Sequence, residues 1–304
     1  MWSALLVGML AVGALDNAPQ YVLLNMTPGR AWHDSRPATL APAHLDDLRA
    51  KLPLGGDGPR QIGLSYIFSY FNNRSPATFE ASLDQCLATA RQLRAPVLIT
   101  LDGECWWGAR PDLWNWWDPT LPGYNDANRA NVEWAGPGPE YAVKLGWRNW
   151  GRQLRVLPQP NLLSPAYRAA THVQLEHWVP RLVAWWRALP PEDADLFVGL
   201  KLGWESSIGV QAWYYPNGND LFAADPAADP TTGLDHAQRP ARGVVALGWA
   251  AATAGGLLGP DGLTEAVQAE IVRRHLADWC ARARAMGLPR ELIYTHTAGW
   301  AQGD

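Results

Sequence analysis

Five short, almost uniformly apolar segments separated by helical patterns constrain this chain more than any other feature. They are Tyr21–Met26 (YVLLNM), Gln61–Phe68 (QIGLSYIF), Pro96–Leu101 (PVLITL), Leu196–Leu202 (LFVGLKL) and Leu292–His296 (LIYTH). A strand that is apolar on both faces must be covered on both faces, which is the condition of strands in a parallel sheet. The segments between them read as the covering helices. Ser75 followed by Pro76 starts one, with Phe79, Leu83, Cys86, Leu87 and Ala90 at helical spacing. Others are expected over Pro42–Leu52 and Ala166–Leu189. A further one begins at Thr264 and is stopped after Met286 by Gly287 and Pro289, and a short one falls within Val244–Thr253.

Two topologies satisfy this alternation, an eightfold βα barrel and an open doubly wound sheet. The nucleotide-binding form of the open sheet carries a glycine-rich turn after its first strand. Here that turn reads TPGRAWHDS, with a single Gly. Instead, polar and aromatic residues follow every strand: Asn25 and Trp32-His33-Asp34, then Tyr70-Phe71-Asn72-Asn73, Asp102-Gly103-Glu104, Trp204-Glu205 and His296. Functional groups at successive strand ends are a habit of barrels. The expected fold is therefore α/β, of the (β/α)8 TIM-barrel type with long βα loops, as a single domain over residues 16–304. An eightfold barrel needs three more strands than are legible. The chain is then the N-terminal part of a larger barrel, or strands lie hidden in the two long loops. The start, MWSALLVGMLAVGALDNAPQ, resembles the apolar core and cleavage region of a signal peptide over residues 1–15, which leads to the expectation of a secreted or periplasmic protein.

The chain holds 18 Trp against 5 Phe. Packing alone would favour Phe, Leu and Ile, whereas Trp adds a flat face and one N–H donor suited to ligands. Trp178, Trp185, Trp186, Trp249 and Trp279 sit in apolar helical contexts and read as core. Those of the long loops, among them Trp106, Trp107, Trp114, Trp116, Trp117, Trp134 and Trp213 with Tyr214 and Tyr215, alternate with Asn and Asp and read as platforms for a ligand with apolar faces edged by hydroxyls, or as the stiffening of their own compact loops. A net charge of −4 without a basic block argues against nucleic acid or an anionic membrane as partner. Cys86, Cys105 and Cys280 lack zinc-site spacing and allow at most one disulfide. His33, Asp34 and His296 lack the spacing of a metal site, and no cofactor is implied.

The acids at two strand ends carry the chemistry. TLDGECWWG supplies Asp102 and Glu104, and LGWESSIG supplies Glu205. Paired carboxyls beside indole surface suit glycosidic cleavage, in which one acid protonates the leaving oxygen and a carboxylate attacks the sugar or activates water. On these residues the chain resembles the superfamily of retaining (β/α)8-barrel glycoside hydrolases that holds cellulases and β-galactosidases. That resemblance implies a general acid/base at Glu205, the strand-four position. Where the family usually has Asn before this Glu, Trp204 stands here, and no strand-seven nucleophile is present in the sequence. Glu104 is the other candidate catalytic acid. Asn25, Trp32, His33, Asn72, Asp102, Trp106, Trp107, Trp204, Trp213, Tyr215 and His296 are the expected contacts to a carbohydrate substrate, Asp102 reading equally as a turn-former before Gly103. Two other readings stand beside it: a carbohydrate-binding barrel without catalysis, and a metal-dependent barrel hydrolase.

Overall fold

A computed structural model of the chain describes residues 20–26, 50–51, 60–72, 75–149, 153–208, 213–214 and 245–297. The leader-like residues 1–15, most of the helix expected over Pro42–Leu52, and Trp32, His33, Asp34 and Tyr215 lie outside these.

The elements, in chain order, are β1 (Gln20–Met26), β2 (Arg60–Ser69), α1 (Pro76–Leu93), β3 (Val97–Asp102), α2 (Pro111–Trp114), β4 (Gly146–Asn149), β5 (Gln153–Val156), α3 (Pro165–Arg187), β6 (Phe197–Ser206), β7 (Trp213–Tyr214), β8 (Val245–Ala246), α4 (Trp249–Ala254), α5 (Glu265–Ala285) and β9 (Ile293–Thr297). All five strands expected from the apolar runs are present. They form one all-parallel sheet in the order β1-β2-β3-β6-β9, curled as half of a barrel. Its first pair is in register from Gln20 opposite Arg60 to Met26 opposite Tyr66.

The expected eightfold barrel is corrected by this sheet, which among the described residues stays open with β1 and β9 at its edges. The physical reason is that apolar-on-both-faces patterning is common to open and closed parallel sheets. Closure depends on strand number and stagger, which no single strand encodes. The strands hidden in the long loops are real but of another kind. They make a four-stranded sheet in the order β5-β4-β7-β8, antiparallel throughout, with Trp147 opposite Arg155 and Trp213, and Tyr214 opposite Val245.

The helices begin and end where their capping residues dictate. The Ser75 hydroxyl accepts the Thr78 N–H at 3.3 Å and Pro76 takes the first turn. Phe79, Leu83, Cys86, Leu87 and Ala90 form the buried stripe of α1. On α5 the Thr264 hydroxyl accepts the Val267 N–H. Glu265 sits in the first turn, Arg282 and Arg284 in the last, each on the end that the helix dipole favours.

Contacts divide the chain into two compact units. The first comprises Met1–Phe68, Ser75–Thr100 and Ala184–Leu200; the second comprises Ser69–Arg74, Leu101–Val183 and Lys201–Asp304. In the first, Phe68 lies 4.9 Å from Phe79 and Trp185 packs edge-on to Phe197, while Arg91 and Arg94 both pair with Asp193. In the second, Trp107, Trp178, Trp279 and Tyr167 are the largest fully buried side chains among the described residues.

The long segment after β3 is built on its own aromatics. Trp107, Trp114, Trp116 and Trp134 are all buried. Their indole N–H groups donate to backbone carbonyls: Trp107 to Pro158 at 3.0 Å, Trp114 to Trp107 at 3.1 Å, Trp116 to Val143 at 3.2 Å and Trp134 to Arg129 at 2.7 Å. The Arg129 guanidinium lies 3.8 Å from the Trp116 ring centroid. Asn115, with no exposed surface, donates its amide toward the carbonyls of Asp118, Leu121 and Pro122. These Trp and Asn side chains are the internal scaffold of a compact loop, so the expectation of ligand platforms does not hold for them. Among the described residues, Tyr124 and Tyr141 are the exposed aromatics of this segment.

Candidate functional site

The candidate site lies within the second unit, at the C-terminal ends of β3, β6 and β9. At the end of β3 the chain turns sharply. One Asp102 carboxyl oxygen accepts the N–H groups of Glu104 at 2.9 Å and Cys105 at 3.4 Å, and the other accepts the Ser69 hydroxyl at 2.9 Å. This is the Asx-type turn expected of Asp before Gly. Gly103 is required there, because a Cβ would stand 2.4 Å from the Tyr70 ring. Asp102, expected to contact substrate, is thus turned inward and buried.

The turn delivers Glu104 into a closed polar cluster. Its side chain has no exposed surface, and so has that of His275. Glu104 Oε1 accepts the Ser206 hydroxyl at 2.6 Å and lies 3.0 Å from His275 Nε2. An ionised Glu104 requires the ring proton on Nε2 for both contacts to be hydrogen bonds. Aromatic rings close the cluster: the Tyr167 ring stacks at 6.3 Å from His275, Trp279 lies 4.1 Å from it, and the Tyr167 hydroxyl donates to the Gly103 carbonyl at 3.0 Å. Glu104 Oε2, the Tyr70 hydroxyl and His275 Nδ1 have no hydrogen-bond partner among the described residues.

Burial governs the electrostatics. It pushes Asp102 up to about 6, helped by the charge of Glu104 and partly offset by the donors from Glu104, Ser69 and Cys105. Tyr70 and Tyr167 are held well above the usual phenol range, first by burial and then by neighbouring ionisable groups.

Glu205 sits differently. It is half-buried, near the end of β6, with a left-handed backbone at φ +51°. Only Glu205 and Arg94 among the described non-glycine residues have positive φ. Such conformations persist only where surrounding structure enforces them. Around Glu205 stand Lys201, Trp204 and His296. The Lys201 ammonium lies 5.3 Å from the Trp204 ring centroid, and the Trp204 and His296 rings are 6.1 Å apart in edge-to-face orientation. Burial lowers the Lys201 pKa while the charge of Glu205 raises it. Burial also lowers that of His296, reinforced by Lys201 and opposed by Glu205 and Glu104. His296 therefore feels both acids.

The structure thus brings together Glu104, Glu205, Asp102, Trp204 and His296 of the expected site. Trp106 is half-buried just beyond Glu104, and Trp107 is buried in the loop scaffold. Asn72 is half-buried, its N–H on the Ser69 carbonyl at 3.0 Å. Asn25 is exposed on β1 and belongs to the first unit. For Trp213 only its backbone pairing in β7 is described. As site residues, Ser206 and His275 were missed in the sequence, where Lys201 reads only as an ion-pair partner for Glu205. His275 was legible as the one titratable residue on the apolar stripe Ile271, Val272, Leu276 and Trp279 of α5. Among the described residues no group of three or more His, Cys, Asp or Glu is placed to hold a metal ion, and no helix is long and apolar enough to cross a membrane. The three cysteines are free thiols.

Fold and site together define an α/β protein with an open parallel sheet and an acid-rich cluster at its strand C-termini. Compared with family models, curated proteins and solved structures, the chain gives no match in any of the three.

Proposed function

We propose that this chain is a carbohydrate-active hydrolase that cleaves a glycosidic bond with Glu205 as its acid/base group. One observation carries the reading: Glu205 is a half-buried acid at a parallel-strand end, held at φ +51° next in the chain to Trp204 and within the electrostatic reach of Lys201 and His296. An enforced conformation at an accessible acid is a mark of a functional position. A carboxyl beside apolar aromatic surface suits proton donation to a leaving oxygen. Lys201 and His296 flank it and suit contacts to sugar hydroxyls. Glu104 lies on the neighbouring strand end but is shielded behind Ser206 and His275.

That shielding supports a second reading, a protein of the same site that binds carbohydrate without cleaving it, because two carboxyls must reach the sugar in the usual mechanism. The deciding experiment assays the chain and its Glu205→Gln variant against aryl glycosides and polysaccharides, following sugar binding by Trp fluorescence. Cleavage by wild type, with a loss of about 100-fold or more in the variant, supports the hydrolase. Binding by both without cleavage removes it and leaves the binding protein. Equal cleavage by both removes Glu205 from the chemistry.

A further inference from the structure

Three features at the end of β6 need a common cause: Gly203 at φ +81°, Glu205 at φ +51°, and Ser206 wholly buried although it is polar. The backbone at Gly203 has no room for a side chain. A Cβ there would stand 2.2 Å from Ser206 Oγ and 2.9 Å from Glu104 Oε1. The strand end is therefore folded tightly against Glu104. The contact that draws it in is the short hydrogen bond from the Ser206 hydroxyl to Glu104 Oε1 at 2.6 Å. A second tie comes from Trp204, whose carbonyl lies 3.4 Å from the Cys105 thiol. Glu205 sits between these two anchored positions, so its left-handed conformation follows from the pull on its neighbours. Glu104 is itself fixed from two sides. The Asp102 carboxyl holds its backbone N–H, and His275 holds its side chain from α5.

We propose that Glu104 is the positioning residue for Glu205: acting through Ser206, with His275 as its own support, it holds the Gly203–Ser206 arc that presents Glu205. The assignment rests on the reading of Glu205 as the working acid, but its test does not depend on turnover. Glu104 touches no substrate in this arrangement. It acts at one remove, as a buried carboxyl that Ser206, His275 and the preceding turn keep in place, and that in turn dictates a strand-end conformation which the intrinsic preferences of Glu oppose.

The test is a carboxyl NMR titration of the full chain labelled with carbon-13 at the Glu carboxyls, with the Glu205 resonance assigned by its loss in Glu205→Gln. Hydrogen exchange at the Glu205 amide is followed in parallel. In Ser206→Ala the Glu205 titration midpoint is expected to move by about half a pH unit or more, and its amide to exchange at least about tenfold faster. Ser206→Thr, which restores a hydroxyl, is expected to return both toward wild type. A merely structural role for Ser206 would lower the melting temperature without moving the Glu205 midpoint. If Ser206→Ala does not fold, Ser206→Cys is read in the same way. An unchanged midpoint and exchange rate in a folded variant overturns the proposal. The two readings fail separately. A shifted midpoint with no sugar cleaved by wild type keeps the positioning and removes the hydrolase. Cleavage with an unmoved midpoint keeps the hydrolase and removes the positioning.

Discussion

Glu133 offers the sharpest quantitative test of how burial works in this protein. It has no exposed surface, and one carboxyl oxygen accepts the Ala250 N–H at 3.2 Å, at the start of α4. Burial pushes its pKa up to about 8 from the ordinary 4.5, although the backbone N–H groups around it pull the other way. The folded protein therefore carries Glu133 neutral at pH 7, while the unfolded chain carries it ionised. A raised folded pKa means that the stability is fully present below about pH 4.5 and is lost as pH rises through about 8. Within that window one proton is released on unfolding, so stability falls by about 1.4 kcal/mol per pH unit. From pH 5 the loss reaches roughly 2–3 kcal/mol at pH 7 and about 4 kcal/mol at pH 9. Glu133→Gln mimics the neutral acid, keeping an oxygen for Ala250 and placing an N–H where the acid has its proton. Urea melts of both proteins from pH 5 to pH 9 are compared as a difference. Asp102, also raised, and His296, lowered, cancel because both proteins contain them. The variant should match wild type at pH 5 and exceed it by those amounts above. Parallel curves across the range, or a wild type that gains on the variant as pH rises, would refute the argument that burial keeps Glu133 protonated.

Three further outcomes are expected. Gly203→Ala should cost at least about 3 kcal/mol in urea unfolding, since the methyl meets Ser206 Oγ at 2.2 Å in a left-handed backbone. Glu205→Gly should raise stability by about 1 kcal/mol through relief of its φ of +51°, while abolishing any sugar cleavage, a trade seen as a higher melting temperature in an inactive protein. Asp102→Asn, whose amide oxygen still serves the Glu104 and Cys105 N–H groups, should equal wild type at pH 4. At pH 8 it should be more stable by roughly 2–3 kcal/mol, because the stability of the raised wild-type acid is lost as pH passes through about 6.

How much of this was legible depended on the range of the cause. The five parallel strands and the helices α1, α3 and α5 were readable to within a few residues, because side-chain periodicity and caps such as Ser75 and Thr264 act locally. Glu104 and Glu205 were legible as strand-end acids for the same reason: each lies at the end of an apolar run, and runs announce their own ends. The small antiparallel sheet was not found. Its strands β7 and β8 are two residues each, too short for any period, and are defined by pairing with distant partners, β7 on the edge of β4 and β8 on β7.

The tryptophans show the other limit. An indole beside Asn and Asp looks the same in sequence whether it meets a sugar or its own loop. Trp107, Trp114, Trp116 and Trp134 chose the loop because backbone carbonyls of Pro158, Trp107, Val143 and Arg129 came within reach of their N–H groups. Sequence by itself determined the five parallel strands, the helices α1, α3 and α5, and which acids stand at the ends of those strands. Tertiary structure alone decided that among the described residues the parallel sheet stays open, that Glu104 faces Ser206 and His275 across separations of 102 and 171 residues, and that Glu205 is bent into a left-handed turn. Periodicity and capping are written in neighbours a few residues apart, whereas a buried charge takes its character from whichever distant groups the fold sets against it.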